Sequence, residues 1–140
     1  MAERITVTLH ELVAGLDGYA DTVLVQKYGT TFGEFSYLSV LAHGTVDITT
    51  LARRLNLTKA AVSKRVPALV AAGWVVTSGD PSNARRVLLS LTPRAVDLVD
   101  RAGGELDAGF TALLDAHPPI DAAALHAMLR TLLARISQKD

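Results

Sequence analysis

Two helix-start signals lie close together near the middle of the chain, and they limit its folds more than any other feature. Asp47 precedes Ile48-Thr49-Thr50-Leu51-Ala52-Arg53-Arg54-Leu55, and Thr58 precedes Lys59-Ala60-Ala61-Val62. Short side chains with an oxygen at such points accept the free amides of a first helical turn. Leu51, Ala52 and Leu55 give the first helix an inward face, and Val62, Val66, Leu69 and Val70 give one to the second. Asn56-Leu57-Thr58 is a tight connection between them, and Gly73 stands where a C′ glycine belongs. Two short helices joined in this way, the second one basic, form a helix-turn-helix. Pro67 removes one helical hydrogen bond and predicts a kink in the second half of that helix.

The flanking segments complete the pattern. Leu9, Leu12, Val13, Leu16, Tyr19, Ala20, Val23 and Leu24 recur at helical spacing, predicting an amphipathic helix over residues 8–28 that Gly29 stops. Thr31-Phe32-Gly33-Glu34 reads as a capping box opening a helix through Phe35, Leu38 and Leu41 to about His43-Gly44. After Gly73, Trp74 to Ser78 reads as a strand, Gly79 to Ala84 as a turn and Arg86 to Leu91 as a returning strand. A cationic hairpin directly after a basic helix is a wing, with Arg85 and Arg86 at or near its tip. Thr92-Pro93 opens a further helix through about Ala116, whose middle Gly103-Gly104 weakens, and Pro118-Pro119 ends that stretch. A last helix carries Leu125, Met128, Leu129, Leu132, Leu133 and Ile136 on one stripe. The expected fold class is mainly α with a small β-hairpin wing: a winged helix-turn-helix domain plus N- and C-terminal dimerisation helices.

At 140 residues the chain matches one domain, with 31–92 as the DNA-binding lobe and 5–28 and 93–138 as the helical dimerisation region. The outer helices are longer than so small a core needs. Their apolar stripes either pack within one subunit or meet a second copy, and the two-fold symmetry of palindromic DNA favours the homodimer.

Charge supplies the partner class. The chain holds 14 Lys+Arg and 14 Asp+Glu, so its net charge is zero. Between Thr49 and Arg94, however, eight cations stand against Asp80 alone, giving 8 − 1 = +7 for the segment and −7 for the remainder. A basic middle between acidic flanks suits a polyanion, although a solvated cationic face would look the same by charge alone. Without cysteine there is no disulfide framework, thiolate metal site or thiol redox sensor. His10, His43, His117 and His126 are scattered, no Gly-rich phosphate loop follows a strand, and Glu105 and Asp107 lie on a helix flank. No catalytic residue, metal or cofactor is therefore expected. Glu3, Arg4, His10, Glu11 and Asp17 interrupt the N-terminal stretch, which predicts no signal peptide or membrane span and a cytoplasmic location.

In order and spacing these elements resemble the MarR family of bacterial transcriptional regulators. Ile48 to Thr58 resembles the family's turn, Val62-Ser63-Lys64 its V-S-[RK] step, and Leu69 with Ala72-Gly73-Trp74-Val75 its helix exit into the wing. The family's wing, D-x-R followed by five residues and L-T, is similar to Asn83-Ala84-Arg85, Arg86 to Ser90, Leu91-Thr92. The wing arginine carries over to Arg85, while Asn83 replaces the usual Asp and Asp80 stands near enough to substitute for it.

On this reading Ser63 and Lys64 reach base edges of double-stranded DNA in the major groove. Ala60 and Ala61 allow close approach or touch a thymine methyl. Arg53, Arg54 and Thr58 contact phosphates, with Lys59 and Arg65 completing the cationic helix, and Arg85 or Arg86 enters an adjacent minor groove. Each of these residues taken singly could equally be a solvated surface side chain. The resemblance further implies a pseudo-palindromic operator, a repressor's role and release by a small aromatic or phenolic effector. Tyr28, Phe35, Tyr37, His43 and Trp74 are its candidate lining, unless they are simply core. The competing readings are a winged helix used for protein contacts and a non-specific architectural DNA-binding module.

Overall fold

The computed structural model describes residues 3–137, so the boundary placed at residue 138 lies outside the described residues. By packing, the chain divides into two compact units, the division falling at Gly103 and Gly104.

In the first unit, α1 (Ile5–Val23) runs into a single wider turn of π-helix at Leu24–Tyr28, which Gly29 closes at φ +66. The expected start at residue 8 is thus three residues late, and the stretch up to Tyr28 is not one regular α-helix. Helix α2 (Phe32–Leu41) begins with the capping box in full: the Glu34 amide donates to Thr31 Oγ1 at 3.1 Å, and the Thr31 amide donates to Glu34 Oε1. Asp21 reaches across from α1 and accepts the Phe32 amide at 2.8 Å, tying α1 to the start of α2.

Strand β1 (Val46–Asp47) leads directly into α3 (Ile48–Leu55), and α4 (Lys59–Ala71) follows. Asp47 and Thr58 cap these two helices as the sequence predicts, accepting the amides of Thr50 and Ala61. Asn56, at φ +56, makes the left-handed turn between them. Helix α4 continues through Pro67 without interruption. The carbonyl that Pro67 leaves without a helical partner belongs to exposed Ser63, where water can replace the missing donor.

The exit from α4 is a Schellman turn: the Gly73 amide donates to the Val70 carbonyl and the Trp74 amide to that of Leu69, with Gly73 at φ +80. Val70, at the edge of the buried stripe on the helical repeat, is 41% exposed, against the expected core position, while Val62, Val66 and Leu69 are buried.

The sheet is antiparallel, in the order β1-β3-β2, with β2 at Val75–Asp80 and β3 at Asn83–Leu91. The short β1, which pairs Val46 with Leu89 and Asp47 with Leu88, was not anticipated. Two residues give too little alternation for a pattern to register. The hairpin is also longer than predicted, closing through Pro81 and Ser82. Leu24, Leu38, Leu51, Val62 and Leu89 are the largest fully buried side chains among the described residues, from the π-turn, α2, α3, α4 and β3. Thr92 caps α5 (Pro93–Asp115) by accepting the Ala95 amide, and its hydroxyl donates to the Gly73 carbonyl at 2.7 Å.

The second unit holds the end of α5 and α6 (Ala122–Ser137). Met128, Leu129, Leu132, Leu133 and Ile136 of α6 are all exposed, as are Ile5, Val7, Leu9, Leu12, Val13 and Tyr19 of α1. Among the described residues no helix is long and apolar enough to cross a membrane.

Gly73→Ala tests the α4 exit. A side chain at φ +80 is strained, and its Cβ would stand 3.2 Å from Arg94 Nη1. The substitution is expected to lower stability by about 1–2 kcal/mol, read as a lower urea midpoint with an unchanged slope.

Candidate nucleic-acid interface

Helix α4 buries Val62, Val66 and Leu69, so the positions opposite them on a 3.6-residue repeat are Ala60 and Lys64. Both are exposed, as are Thr58, Lys59, Ser63 and Arg65, and Ala61 is half-buried. Arg53 and Arg54 project, exposed, from the last turn of α3. Arg65 turns back toward the start of α2, its Nη2 lying 3.6 Å from where a Cβ on Gly33 would stand. Of the predicted DNA-contacting residues, the structure gathers Lys59, Ser63, Arg85 and Arg86 around one open cleft of about 340 Å³ between α4, the start of α3 and the wing.

Asp47, Ile48, Thr49, Asn83 and Val87 complete that cleft. Asp47 shows in the sequence only as a helix cap and Asn83 only as a substitute for an aspartate. Thr49 carries no signal that distinguishes it from any other residue of a first helical turn.

The two wing arginines differ. The register steps from Gly79↔Val87 to Asp80↔Asn83, so Ala84, Arg85 and Arg86 bulge from β3 with no partner on β2. Arg86 turns inward: its Nε donates to Asp47 Oδ2 at 2.9 Å and its Nη1 to Asp80 Oδ2 at 3.2 Å. Asp80 thus supplies the carboxylate that Asn83 lacks, but to Arg86 rather than Arg85. Asn83 Oδ1 instead accepts the Arg85 backbone amide at 3.1 Å. Among the described residues no ion pair involves the side chains of Arg53, Arg54, Lys59, Lys64, Arg65 or Arg85.

Hydrogen bonds from Thr50, side chain and backbone, followed by those from Arg86, hold the Asp47 carboxyl at about 2 despite its partial burial. Ser82 first and Arg86 second lower Asp80, and Asp47 more than Asp80 raises Arg86.

The five candidate effector residues lie in different surroundings. Phe35, Tyr37 and Trp74 are buried in the core, Tyr28 is half-buried in the π-turn, and His43 is exposed beyond α2. Trp74 lies under the Arg94 guanidinium, 3.9 Å from ring centroid to Cζ, and Arg94 also donates to the Ala72 carbonyl at the end of α4. Among the described residues no cluster of His, Asp and Glu could hold a metal ion.

A capped helix-turn-helix with a cationic outward face, preceded by β1 and followed by the β2-β3 hairpin as its wing, defines a winged-helix DNA-binding fold. Residues 28–86 match the model of the MarR family. Over 98 residues the chain is 29% identical to the transcriptional regulator AdcR of Streptococcus pneumoniae serotype 2, covering 68% of this chain and 67% of that protein. In fold it is similar to NadR crystallised with 4-hydroxyphenylacetate, at a TM-score of 0.83 and 24% identity over 99% of this chain and 96% of that one. It is also similar to Streptococcus pneumoniae FabT crystallised with DNA, at 0.81 and 16% identity, covering 98% of each chain. From residue 28 to 86 the chain is thus similar to the MarR family, and in fold it is similar to the winged-helix regulators of that family.

The depressed Asp47 predicts an acid-labile contribution to stability. A folded-state value below the ordinary 3.8 contributes stability that is complete above about 3.8 and lost as pH falls toward about 2. Asp47→Ala, which also removes the α3 cap, is expected to cost on the order of 1 kcal/mol at neutral pH. In denaturation curves taken at several pH values, its deficit against the parent chain should shrink across that interval.

Proposed function

We propose that the chain is a homodimeric repressor that reads a pseudo-palindromic operator and is released by a small aromatic or phenolic effector. The observation that carries the DNA reading is the outward face of α4, where Lys64 and Ala60 stand opposite the buried stripe and Ser63 lies beside the wing. The major groove admits one such helix. Ser63 and Lys64 read base edges there, Ala60 and Ala61 permit close approach, and Thr58, Lys59, Arg53, Arg54 and Arg65 serve phosphates. The capped start of α4 adds amide donors and the positive end of its dipole. The wing lies along an adjacent minor groove, where Arg85 meets the backbone's negative potential.

In this proposal residues 31–92 are the reading lobe, and 5–28 and 93–138 pair with a second copy. The exposed leucines, valines and isoleucines of α1 and α6 support that pairing, since lone monomers rarely display so much apolar surface. A two-fold protein then sets half-sites about one helical turn apart. The effector part draws on NadR's co-crystallised 4-hydroxyphenylacetate, with Tyr28, Phe35, Tyr37, His43 and Trp74 as candidate lining. Release requires the effector to bind the DNA-incompetent spacing of the two lobes more tightly than the competent one. The protein acts in the cytoplasm, where the operator is.

Selection from a randomised duplex library at about 150 mM salt, where purely phosphate-driven binding is suppressed, tests this reading. Enrichment of a two-fold site is the expected result; salt-labile binding without enrichment would instead indicate an architectural or protein-binding winged helix. On the enriched site, Lys64→Ala should relax sequence preference, at about 1–3 kcal/mol for a lost base contact. Arg53→Ala should weaken specific and random duplexes equally. Leu132→Glu should shift the sedimenting species from dimer to monomer.

A further inference from the structure

We propose that Arg86 is a positioning residue rather than a DNA contact: it fastens the wing to the helix-turn-helix, leaving Arg85 as the cation that meets DNA. This rests on the DNA reading above for its consequence, but not for the fastening itself.

Three separate segments meet at the Arg86 guanidinium. Asp47 comes from the end of β1 and the cap of α3, Asp80 from the end of β2, and Arg86 from the bulge of β3. The link to Asp47 spans 39 residues of sequence. Its carboxylates distinguish it from an ordinary surface pair: Arg86 is 45% exposed, but the Asp47 and Asp80 side chains are only 19% and 10% exposed, whereas Arg101 and Asp97 are 69% and 67% exposed. An exposed pair contributes little because water and salt compete for both charges. Two largely covered carboxylates without their cation would repel each other and leave oxygens unsatisfied. Lowering Arg86 into a DNA groove would impose that cost.

The division of labour follows from the bulge. Within three residues that pair with nothing on β2, the Arg86 guanidinium is bound by two carboxylates, while the Arg85 side chain has no ion-pair partner among the described residues. The same Asp47 carboxylate that receives Arg86 through Oδ2 receives the Thr50 amide through Oδ1. Wing angle and α3 are therefore fixed by one side chain. A planar guanidinium can serve two carboxylates at once, which an ammonium on a flexible stem does poorly.

Two measurements on the full chain separate fastening from contact. The first is amide hydrogen exchange in the free protein at Ser78 and Leu88, the hydrogen-bonded pair nearest the bulge. Arg86→Ala and Asp80→Asn should each speed exchange there on the order of tenfold, Arg86→Lys should restore protection only in part, and Arg85→Ala should leave it unchanged. The second is the salt dependence of binding to the selected duplex, or to random-sequence duplex if none is enriched. Arg85→Ala should reduce the slope of log K against log salt by about 0.9, the signature of one lost phosphate contact. Arg86→Ala should weaken binding roughly tenfold with the slope unchanged, and Asp80→Asn should weaken it as well. A slope reduced by Arg86→Ala, tighter binding by Asp80→Asn, or unaltered exchange in Arg86→Ala would each overturn the proposal. Failure of the parent chain to bind either duplex would sink the DNA reading, while exchange would still decide the fastening.

Discussion

The Asp47 carboxylate is where the first unit's two reading elements become one body. One oxygen satisfies an amide that the start of α3 would otherwise leave free, and the other holds Arg86 of the wing. A helix-turn-helix and a hairpin joined only by the backbone around Gly73 would be hinged at that point. A charge-assisted bond at the far end of the hairpin turns the hinge into a closed frame. Strand β1 reinforces it, because Val46 and Asp47 pair with Leu89 and Leu88 of the same hairpin. Position along β3 and charge contact with Arg86 thus specify the same geometry, so neither can shift without cost to the other.

The opposite corner of the frame is built from a hydroxyl, backbone groups and one cation, with no carboxylate. The Thr92 hydroxyl donates to the Gly73 carbonyl, and its oxygen accepts the Ala95 amide, so one side chain links the end of α4 to the start of α5. Arg94 covers Trp74 and bonds the Ala72 carbonyl, satisfying part of the helix end that the Schellman turn leaves open. The indole is therefore engaged on one face by a cation and is buried as core. An aromatic so occupied serves first to fix the base of the wing.

What the sequence made legible was largely what local chemistry decides. Thr31 with Glu34, Asp47, Thr58, Thr92 and Gly73 each act through backbone groups within a few residues, and all stand in the predicted roles. Periodicity found the buried faces of α3 and α4, except at Val70, which lies at the edge of the α4 stripe and is exposed. What escaped depends on partners far away in sequence. The Asp47–Arg86 pair joins positions 39 residues apart, β1 exists only because β3 is beside it, and the inward aim of Arg86 follows from a register step. Asp80 was expected to substitute for the missing carboxylate beside Arg85, but it holds Arg86 instead, because the bulge that decides between them has a size no spacing rule supplies. The π-turn at Leu24–Tyr28 passes unnoticed for a local reason: the apolar stripe ends at Leu24, so its wider spacing leaves no mark on the pattern.

Net charge is the property of this chain most easily misread. A total of zero suggests indifference to a polyanion, yet the segment from Thr49 to Arg94 carries +7. Screening decides which description applies at the interface. At physiological ionic strength the Debye length is about 8 Å, so a phosphate touching α4 responds to the cations beside it far more than to carboxylates elsewhere on the chain. The neutral total governs behaviour at a distance, where it limits unspecific attraction to nucleic acid. Within the +7 segment the structure sorts the cations further. Arg86 is neutralised by two carboxylates and Arg94 is committed to Trp74 and a helix end, while Lys59, Lys64 and Arg85 remain exposed. The cationic surface left available is thus defined less by how many positive charges the segment contains than by which of them the fold has already used.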